Sequence, residues 1–591
     1  YLDVPMLTRQ LAAEGVKRIV ITTDEPEKYQ GVQGLAAGVE VFHRRELEQL
    51  QQQLRAIAGT TILIHDQTCA AEKRRRRKRG NYPDPAKRAF INHRVCEGCG
   101  DCGKTSQCLS VLPLETPLGR KRTIDQSSCN KDFSCVDGYC PSFVTVEGGQ
   151  LKKNGQKSRP SLNDMPPLPL PLLPSTQQPY GIMVTGVGGT GVVTIGQILG
   201  VAAHLDGLGI SVLDMAGLAQ KGGSVWSHIR IADQQDKLHA VLIAAGDANV
   251  VLGCDLVVTV SAESLAKMRR GFTRGLVNRF EAPTSEFTKN PDAHFPSQAM
   301  RQTLVDTLGQ DYYADLDATR LATALMGDWL ATNMFMLGAA WQKGLIPISE
   351  QAMLRAIELN GAAVEFNRQS FTWGRYAAHD LAKVESLAFP PAVVKTLPFP
   401  QSLAKMREAH EAFLTAYQNQ ALANRYHHWV EHVQAAEERV KPGSRHLTRA
   451  AARSYFKLLS YKDEYEVARL YTDGEFVAEL QQQFEGDFHL SFYFGTGYLQ
   501  KWLGSGSDKP RKFRFGSWAF SALKLLAKLR GLRGTALDVF GWQAERRVER
   551  GLIRDFEATM AKVLSELNSD NLALAIEIAG LPEQIRGFGH V

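Results

Sequence analysis

Seven of the nine cysteines lie between Cys96 and Cys140. Cys96, Cys99 and Cys102 read Cys-x2-Cys-x2-Cys inside Val95-Cys-Glu-Gly-Cys-Gly-Asp-Cys102, and Cys140 is followed at once by Pro141. Such short spacings place thiolates around one centre. The intervening glycines let backbone N–H groups turn towards sulfur. A Cys-x2-Cys-x2-Cys run with a distant Cys-Pro holds a 4Fe–4S cluster.

In two-cluster chains of the bacterial ferredoxin type, the fourth cysteine of each run ligates the other cluster. Applied here, that rule gives the first cluster Cys96, Cys99, Cys102 and Cys140. A second cluster takes Cys108, Cys129, Asp132 and Cys135. Asp132 stands where a cysteine is usual. A carboxylate then ligates iron weakly, or the site holds three irons, or no second cluster forms. Five residues precede Cys108 and four precede Cys140, against the usual three. The competing chemistry is a structural zinc site, although zinc sites commonly show two separated Cys-x2-Cys pairs. A disulfide framework would need a secretory context, which nothing in the sequence marks.

A chain of 591 residues implies roughly four domains. The apolar fraction of 44% is enough for sizeable cores. No run of 18 apolar residues occurs, so no membrane span is expected. With no visible targeting signal, a cytoplasmic setting is expected. The net charge is +7, and Lys73–Arg79 alone supplies seven positive charges. The remainder is close to neutral, which argues against a general nucleic-acid surface. The basic run is read as having a structural or docking role rather than binding nucleic acid, against the competing reading of a solvated charge run or a nuclear signal. The chain opens on Tyr1 within a helical pattern and stops abruptly at Val591, so a fragment of a longer polypeptide is expected.

Before the cysteines, helical and strand patterns alternate. Met6–Ala13 reads as helix, Arg18–Thr22 as a buried strand, Glu46–Ile57 as an amphipathic helix and Thr61–Ile64 as a second strand. This alternation predicts the remnant of a parallel sheet. Cys69 after it is read as buried structure rather than a ligand.

Seven prolines between Pro160 and Pro179 predict an extended, semi-rigid spacer. Beyond it, a strand at Tyr180–Gly186 runs into Gly186-Val-Gly-Gly-Thr-Gly191 and a helix over Val192–Leu205. A further strand at Ile210–Leu213 ends at Asp214. Glycines at 186, 188 and 191, with an acid after the second strand, fit a dinucleotide fingerprint. A helix N-terminus there attracts phosphate. Strands at Val241–Ala244 and Leu256–Val260 are expected to complete a parallel sheet, followed by a helix over Thr319–Gly344 that packs Met334 and Met336. His228 is read as structural. Residues 396–591 read as mainly helical, with one strand at Phe488–Phe494. Asp463 and Glu464 are read as salt-bridged helix residues rather than catalytic ones.

Several motifs resemble the long, fused indolepyruvate:ferredoxin oxidoreductases, of the 2-oxoacid:ferredoxin oxidoreductase family. They are Asp66-Gln-Thr-Cys-Ala-Ala-Glu-Lys-Arg-Arg-Arg-Arg-Lys-Arg-Gly80, the Val95–Cys102 run, Ile124-Asp-Gln-Ser-Ser-Cys-Asn-Lys-Asp132 and Cys140-Pro-Ser-Phe-Val144. Further likeness lies in Gln220-Lys-Gly-Gly-Ser-Val225, Trp226-Ser-His-Ile-Arg-Ile231, Asp255–Val260 and Thr332–Gly338.

The resemblance implies an α/β multidomain chain. Residues 1–70 would end a thiamine-diphosphate-binding domain with a parallel sheet. Residues 71–159 would form a ferredoxin-like iron–sulfur domain and 160–179 a Pro-rich linker. Residues 180–395 would form a Rossmann-like gamma domain and 396–591 a mainly helical domain. It implies oxidative decarboxylation of aryl pyruvates, with coenzyme A taking the acyl group and ferredoxin the electrons. One 4Fe–4S cluster is implied, or two.

Thiamine diphosphate and magnesium would bind the remainder of the polypeptide, because their Gly-Asp-Gly…Asn motif does not occur here. The chain alone is then expected to be inactive, and a homodimer is expected. In the gamma reading, Gly186, Gly188, Gly189, Thr190 and Gly191 meet a phosphate of coenzyme A or thiamine diphosphate, with Lys221 as cationic partner. Two alternatives stay open. One is a non-catalytic iron–sulfur electron-transfer or interaction module. The other is an NAD(P)-dependent oxidoreductase using Gly186 to Asp214.

Overall fold

The β-branched run Arg18–Thr23 forms a strand, β1, whose Ile19, Val20 and Ile21 are buried. It lies between β2 (Glu40–His43) and β3 (Thr61–His65), parallel to both, with Val20 opposite Glu40 and Leu63. Parallel strands need crossover connections. Here the helix Leu47–Arg55 provides one and buries Leu50 and Leu54. The computed structural model describes residues 2–152, 162, 165–216, 223–282, 284, 286–389, 402–495, 512–589 and 591.

This first unit runs to Pro85, past the expected boundary at residue 70. The basic run lies within this unit. It forms the helix Ala70–Lys78, whose Lys73 Nζ lies 3.1 Å from Asp24 Oδ2. Arg44 holds the other oxygen of Asp24 at 2.8 Å, and Glu72 pairs with Arg75 and Arg76. Cys69, at the start of this helix, is exposed rather than buried.

The second unit covers Ala86–Val591. It opens with β4 (Lys87–Ile91), the hairpin β5 (Val111–Thr116) and β6 (Gly119–Ile124), then β7 (Phe143–Glu147) and β8 (Gln150–Leu151). β4 and β7 pair antiparallel, with Phe90 opposite Val144. From Met165 onward the Pro-rich segment has no helix or strand. It is not a free spacer, however. Tyr376 Oη donates to the Pro166 carbonyl at 2.7 Å, Gln342 to that of Pro169 at 2.6 Å, and Met165 and Leu168 pack on the neighbouring core.

A six-stranded sheet follows: β9 (Tyr180–Val187), β10 (Gly209–Ala216), β11 (Ser224–Ala232), β12 (Val250–Gly253), β13 (Arg274–Asn278) and β14 (Tyr313–Leu316), in the order β10-β11-β9-β12-β13-β14. It is mixed rather than parallel, because β11 runs antiparallel between β10 and β9.

Two expected strands are absent. Val241–Ala244 is irregular, and Leu256–Thr259 is a helical turn despite its β-branched residues. Asp255 causes the second departure, since its side chain accepts the Val258 N–H at 2.9 Å and starts a helix. The expected helix over 319–344 is two helices, Ala318–Met326 and Thr332–Gln342, divided at Gly327, whose φ is +78°. Met334 and Met336 are buried in it, as packing requires. Helices Thr332–Gln342 and Val364–His379 cross so closely that a Cβ on Gly338 or Gly374 would overlap the other helix's carbonyl oxygens.

The C-terminal residues are mainly helical, with β15 (Phe484–Glu485), β16 (His489–Phe494) and β17 (Phe513–Phe515). These strands do not form a separate sheet. β15 pairs with β8, and one sheet has the order β17-β16-β7-β4. The cysteine-rich segment and the C-terminal module are therefore folded together. Asp463 and Glu464 are held structurally. Asp463 caps the helix Glu464–Thr472 and binds Arg533, while Glu464 lies 3.5 Å from Arg546.

His410 sits inside this module, stacked at 3.9 Å on Phe456 with its Nδ1 2.8 Å from Tyr426 Oη. Burial first, and then the charge of Arg453, pushes its pKa down to about 3. A folded pKa below the unfolded one means that the unfolded chain binds the extra proton. Stability is then present above about pH 6.5 and lost as pH falls towards about 3. The expected slope is about 1.4 kcal/mol per pH unit in that window. Unfolding in urea at pH 7, 6 and 5 tests it: the slope attributable to this site should vanish in His410→Gln, and equal slopes would refute it.

Candidate functional site

The first four predicted cysteines come together. Cys96, Cys102 and Cys140 are buried and Cys99 is half-buried. Burial, and then the neighbouring Cys140, pushes the thiols of Cys96, Cys99 and Cys102 up, with Cys99 reaching about 12. Cys96 and Cys99 also raise Cys102. Neutral thiols are thus strongly favoured until a cation compensates the thiolate charge.

The local backbone suits sulfur ligation. Gly98 has φ +69°, which glycine adopts freely, and its N–H points at Cys96 Sγ at 3.3 Å. A Cβ on Gly98 would overlap the Arg120 carbonyl oxygen. Asp101 accepts the Tyr139 N–H at 2.7 Å, which ties the triple-cysteine run to the loop carrying Cys140. Cys140 Sγ lies 2.9 Å from Ser142 Oγ.

The second predicted set also gathers. Burial, then Cys129, Cys108 and Asp132, pushes the Cys135 thiol up. The Cys129 thiol is raised by burial, with Cys108 and Asp132 adding to it, while the Lys131 N–H, 3.4 Å from Cys129 Sγ, opposes the shift. Asp132 is already engaged, since its Oδ1 accepts from the Ser134 N–H and hydroxyl at 3.2 and 3.0 Å. All nine cysteines are free of disulfides. Among the described residues, no three His, Cys, Asp or Glu side chains close on a point for a single metal ion. The two sets are neighbourhoods of sulfur rather than closed coordination shells.

Cations surround the first set, and sequence reasoning missed them. Arg122 is 2% exposed, donates to the Pro291 carbonyl at 2.9 Å and stacks 4.5 Å above Phe287. Lys121 is buried, and burial, then the charge of Lys462, pushes its pKa down to about 8. Lys462 Nζ lies 3.2 Å from the carbonyl oxygens of both Val95 and Cys96 and 2.5 Å from Glu97. Lys512 Nζ donates to the Val136 carbonyl at 3.1 Å. Arg120-Lys121-Arg122, between the cysteine runs, was a visible signal. Nothing in the sequence marks Lys462 or Lys512.

The glycine turn joins β9 to the helix Val192–Leu205, with Gly189 and Gly191 at φ +84° and +104°. Gly188 N–H donates to the Gly223 carbonyl at 2.7 Å, and the Thr190 hydroxyl donates to that of Val187 at 2.7 Å. Asn333 Nδ2 holds the Thr190 carbonyl at 2.9 Å. Gly186 is packed against Val192 and Cys254. Lys221 lies outside the described residues.

Asp214 does not occupy the ribose position of a dinucleotide fold. That fold places the acid on the strand beside the first one. Here β11 intervenes, and Asp214 pairs across to Ser227 and faces Gly196. His228 is buried; its Nδ1 accepts the Ile243 N–H at 3.4 Å, and its Nε2 finds no partner among the described residues. It is a structural histidine left half-satisfied.

Residues 181–377 match the family described as pyruvate ferredoxin/flavodoxin oxidoreductase. Residues 403–591 match a family of unknown function (DUF6537). The chain is 28% identical over 201 residues to the indolepyruvate oxidoreductase subunit IorB of Methanothermobacter thermautotrophicus, covering 34% of this chain and 97% of the relative. To the IorB subunit of Pyrococcus horikoshii it is 28% identical over 206 residues, again 34% and 97%. A solved gamma subunit of a keto/oxoacid ferredoxin oxidoreductase from Geobacter sulfurreducens is 21% identical, with TM-score 0.24, covering 34% of this chain and 98% of that one. The matched residues carry the mixed sheet and the glycine turn; the cysteine sets lie outside them. No described helix is long and apolar enough to cross a membrane.

Proposed function

We propose that this chain is the electron-relay and gamma portion of an indolepyruvate:ferredoxin oxidoreductase of the long, fused kind. Cys96, Cys99, Cys102 and Cys140 would hold a 4Fe–4S cluster; Cys108, Cys129, Cys135 and Asp132 would hold a second. The observation that carries the proposal is the gathering of the first four sulfurs, beside a domain of an oxidoreductase family. When bound, such a cluster supplies one-electron transfer. The chain's own residues would surrender the thiol protons on ligation, orient the Gly98 N–H to Cys96 and limit access of water by burial.

Under this reading the thiamine diphosphate and magnesium site lies in the remainder of the polypeptide, coenzyme A is co-substrate and ferredoxin the acceptor. The turn Gly186–Gly191 with Lys221 would meet a phosphate. The enzyme would be a cytoplasmic homodimer, and the isolated chain would not turn over. The test is made on anaerobically prepared full-length polypeptide. Indolepyruvate- and coenzyme-A-dependent reduction of ferredoxin is expected, together with iron and sulfide in the protein. Iron-free protein carrying zinc would overturn the reading.

A further inference from the structure

We propose that the C-terminal module of unknown family function is an electrostatic sheath for the first cysteine set, and that Lys462 and Lys512 hold that cluster's reduction potential up. The inference rests on the iron–sulfur reading above and assigns a role to residues 403–591 that the reading leaves blank.

Every loop that carries a cysteine of the first set is touched by this module. β16 adds to β7, with Phe492 opposite Val144, a few residues beyond Cys140. Tyr471 Oη donates to the Pro141 carbonyl at 2.7 Å, next to Cys140. Asn92, fully buried just before the Cys96 turn, donates to the Leu470 carbonyl at 3.0 Å. Lys462 reaches the carbonyls of Val95 and Cys96. Lys512 reaches the carbonyl of Val136, and its Nζ stands 5.3 Å over the Phe143 ring. The module thus closes a sheet and excludes water while delivering two ammonium groups to the rim of the sulfur set.

The acids nearby are Glu97, paired with Lys462, Asp101, which accepts from Tyr139, and Asp137, close to Lys512. Lys121 and Arg122 add two more cations. Reduction of the cluster adds one electron, with no bond made or broken. Four thiolates already make it anionic, so a cation held in a poorly solvated shell favours the reduced form. Removing Lys462 would also leave Glu97 without its counter-ion, and this acts in the same direction.

The test is a redox titration of anaerobic full-length protein, followed by the paramagnetic resonance of the reduced cluster. The signal is assigned to the first set by its loss in Cys102→Ala. Lys462→Gln and Lys512→Gln are each compared with Lys462→Arg and Lys512→Arg. Each glutamine variant is expected to disfavour the reduced form about tenfold, a potential about 59 mV lower for one electron. The arginine variants should stay near wild type. Glutamine variants that bear the cluster at the wild-type potential would overturn the proposal. If a glutamine variant assembles no cluster while its arginine counterpart does, the charge serves assembly rather than the potential and the proposal falls. If both fail, packing rather than charge is responsible and it falls. Wild-type protein without iron would instead remove the iron–sulfur reading itself.

Discussion

Cys102→Ala is expected to lower the iron content by about four atoms per chain, the complement of one cluster, and to abolish substrate-dependent reduction of ferredoxin. Cys102 is buried among Cys96, Cys99 and Cys140, beside the Asp101–Tyr139 bond. Iron and sulfide analysis on anaerobic protein reads the first effect directly. Unchanged iron in this variant would mean that the first four cysteines do not hold a cluster. Cys135→Ala gives the parallel measurement for the second set, where Ser134 already occupies one oxygen of Asp132.

The second large effect is one of stability. Arg533 and Asp463 are each 4% exposed at the side chain and make two hydrogen bonds to one another, at 2.6 and 2.8 Å. Arg533 also donates to the Tyr417 carbonyl at 2.8 Å and lies 3.7 Å over that tyrosine's ring. Replacing it with methionine strands a buried carboxylate, which costs about 3–5 kcal/mol. Amide hydrogen-exchange protection across residues 464–472 is expected to fall accordingly. Adding Asp463→Asn should recover part of the loss, because no bare charge then remains. Wild-type protection in Arg533→Met would show that the pair contributes little to the module's stability.

The cysteine spacing, the strand–glycine turn–helix at 180–205 and the buried β-branched strand at 18–23 are local patterns, and each was legible in the chain. Local chemistry is sufficient there: sulfur spacing, glycine freedom and apolar periodicity act over a few residues. Elsewhere local preference lost. Leu256–Thr259 looks like a strand, yet the capping carboxylate of Asp255 turns it into a helix. Asp214 looks like a ribose acid, yet β11 inserts between its strand and β9. The Pro-rich stretch looks like a spacer, yet its carbonyls are tied down by Tyr376 and Gln342.

The sequence by itself determined where the closely spaced cysteines and the glycine turn lie, because those depend on residue type and short spacing. Only the tertiary structure decided what surrounds the sulfurs. Lys462 and Lys512 reach the first set, and β16 and β17 join its sheet, across more than 300 residues of chain. Hydrogen bonding between strands and burial of charge act through space. No local pattern at residue 462 or 512 records the partner it will meet.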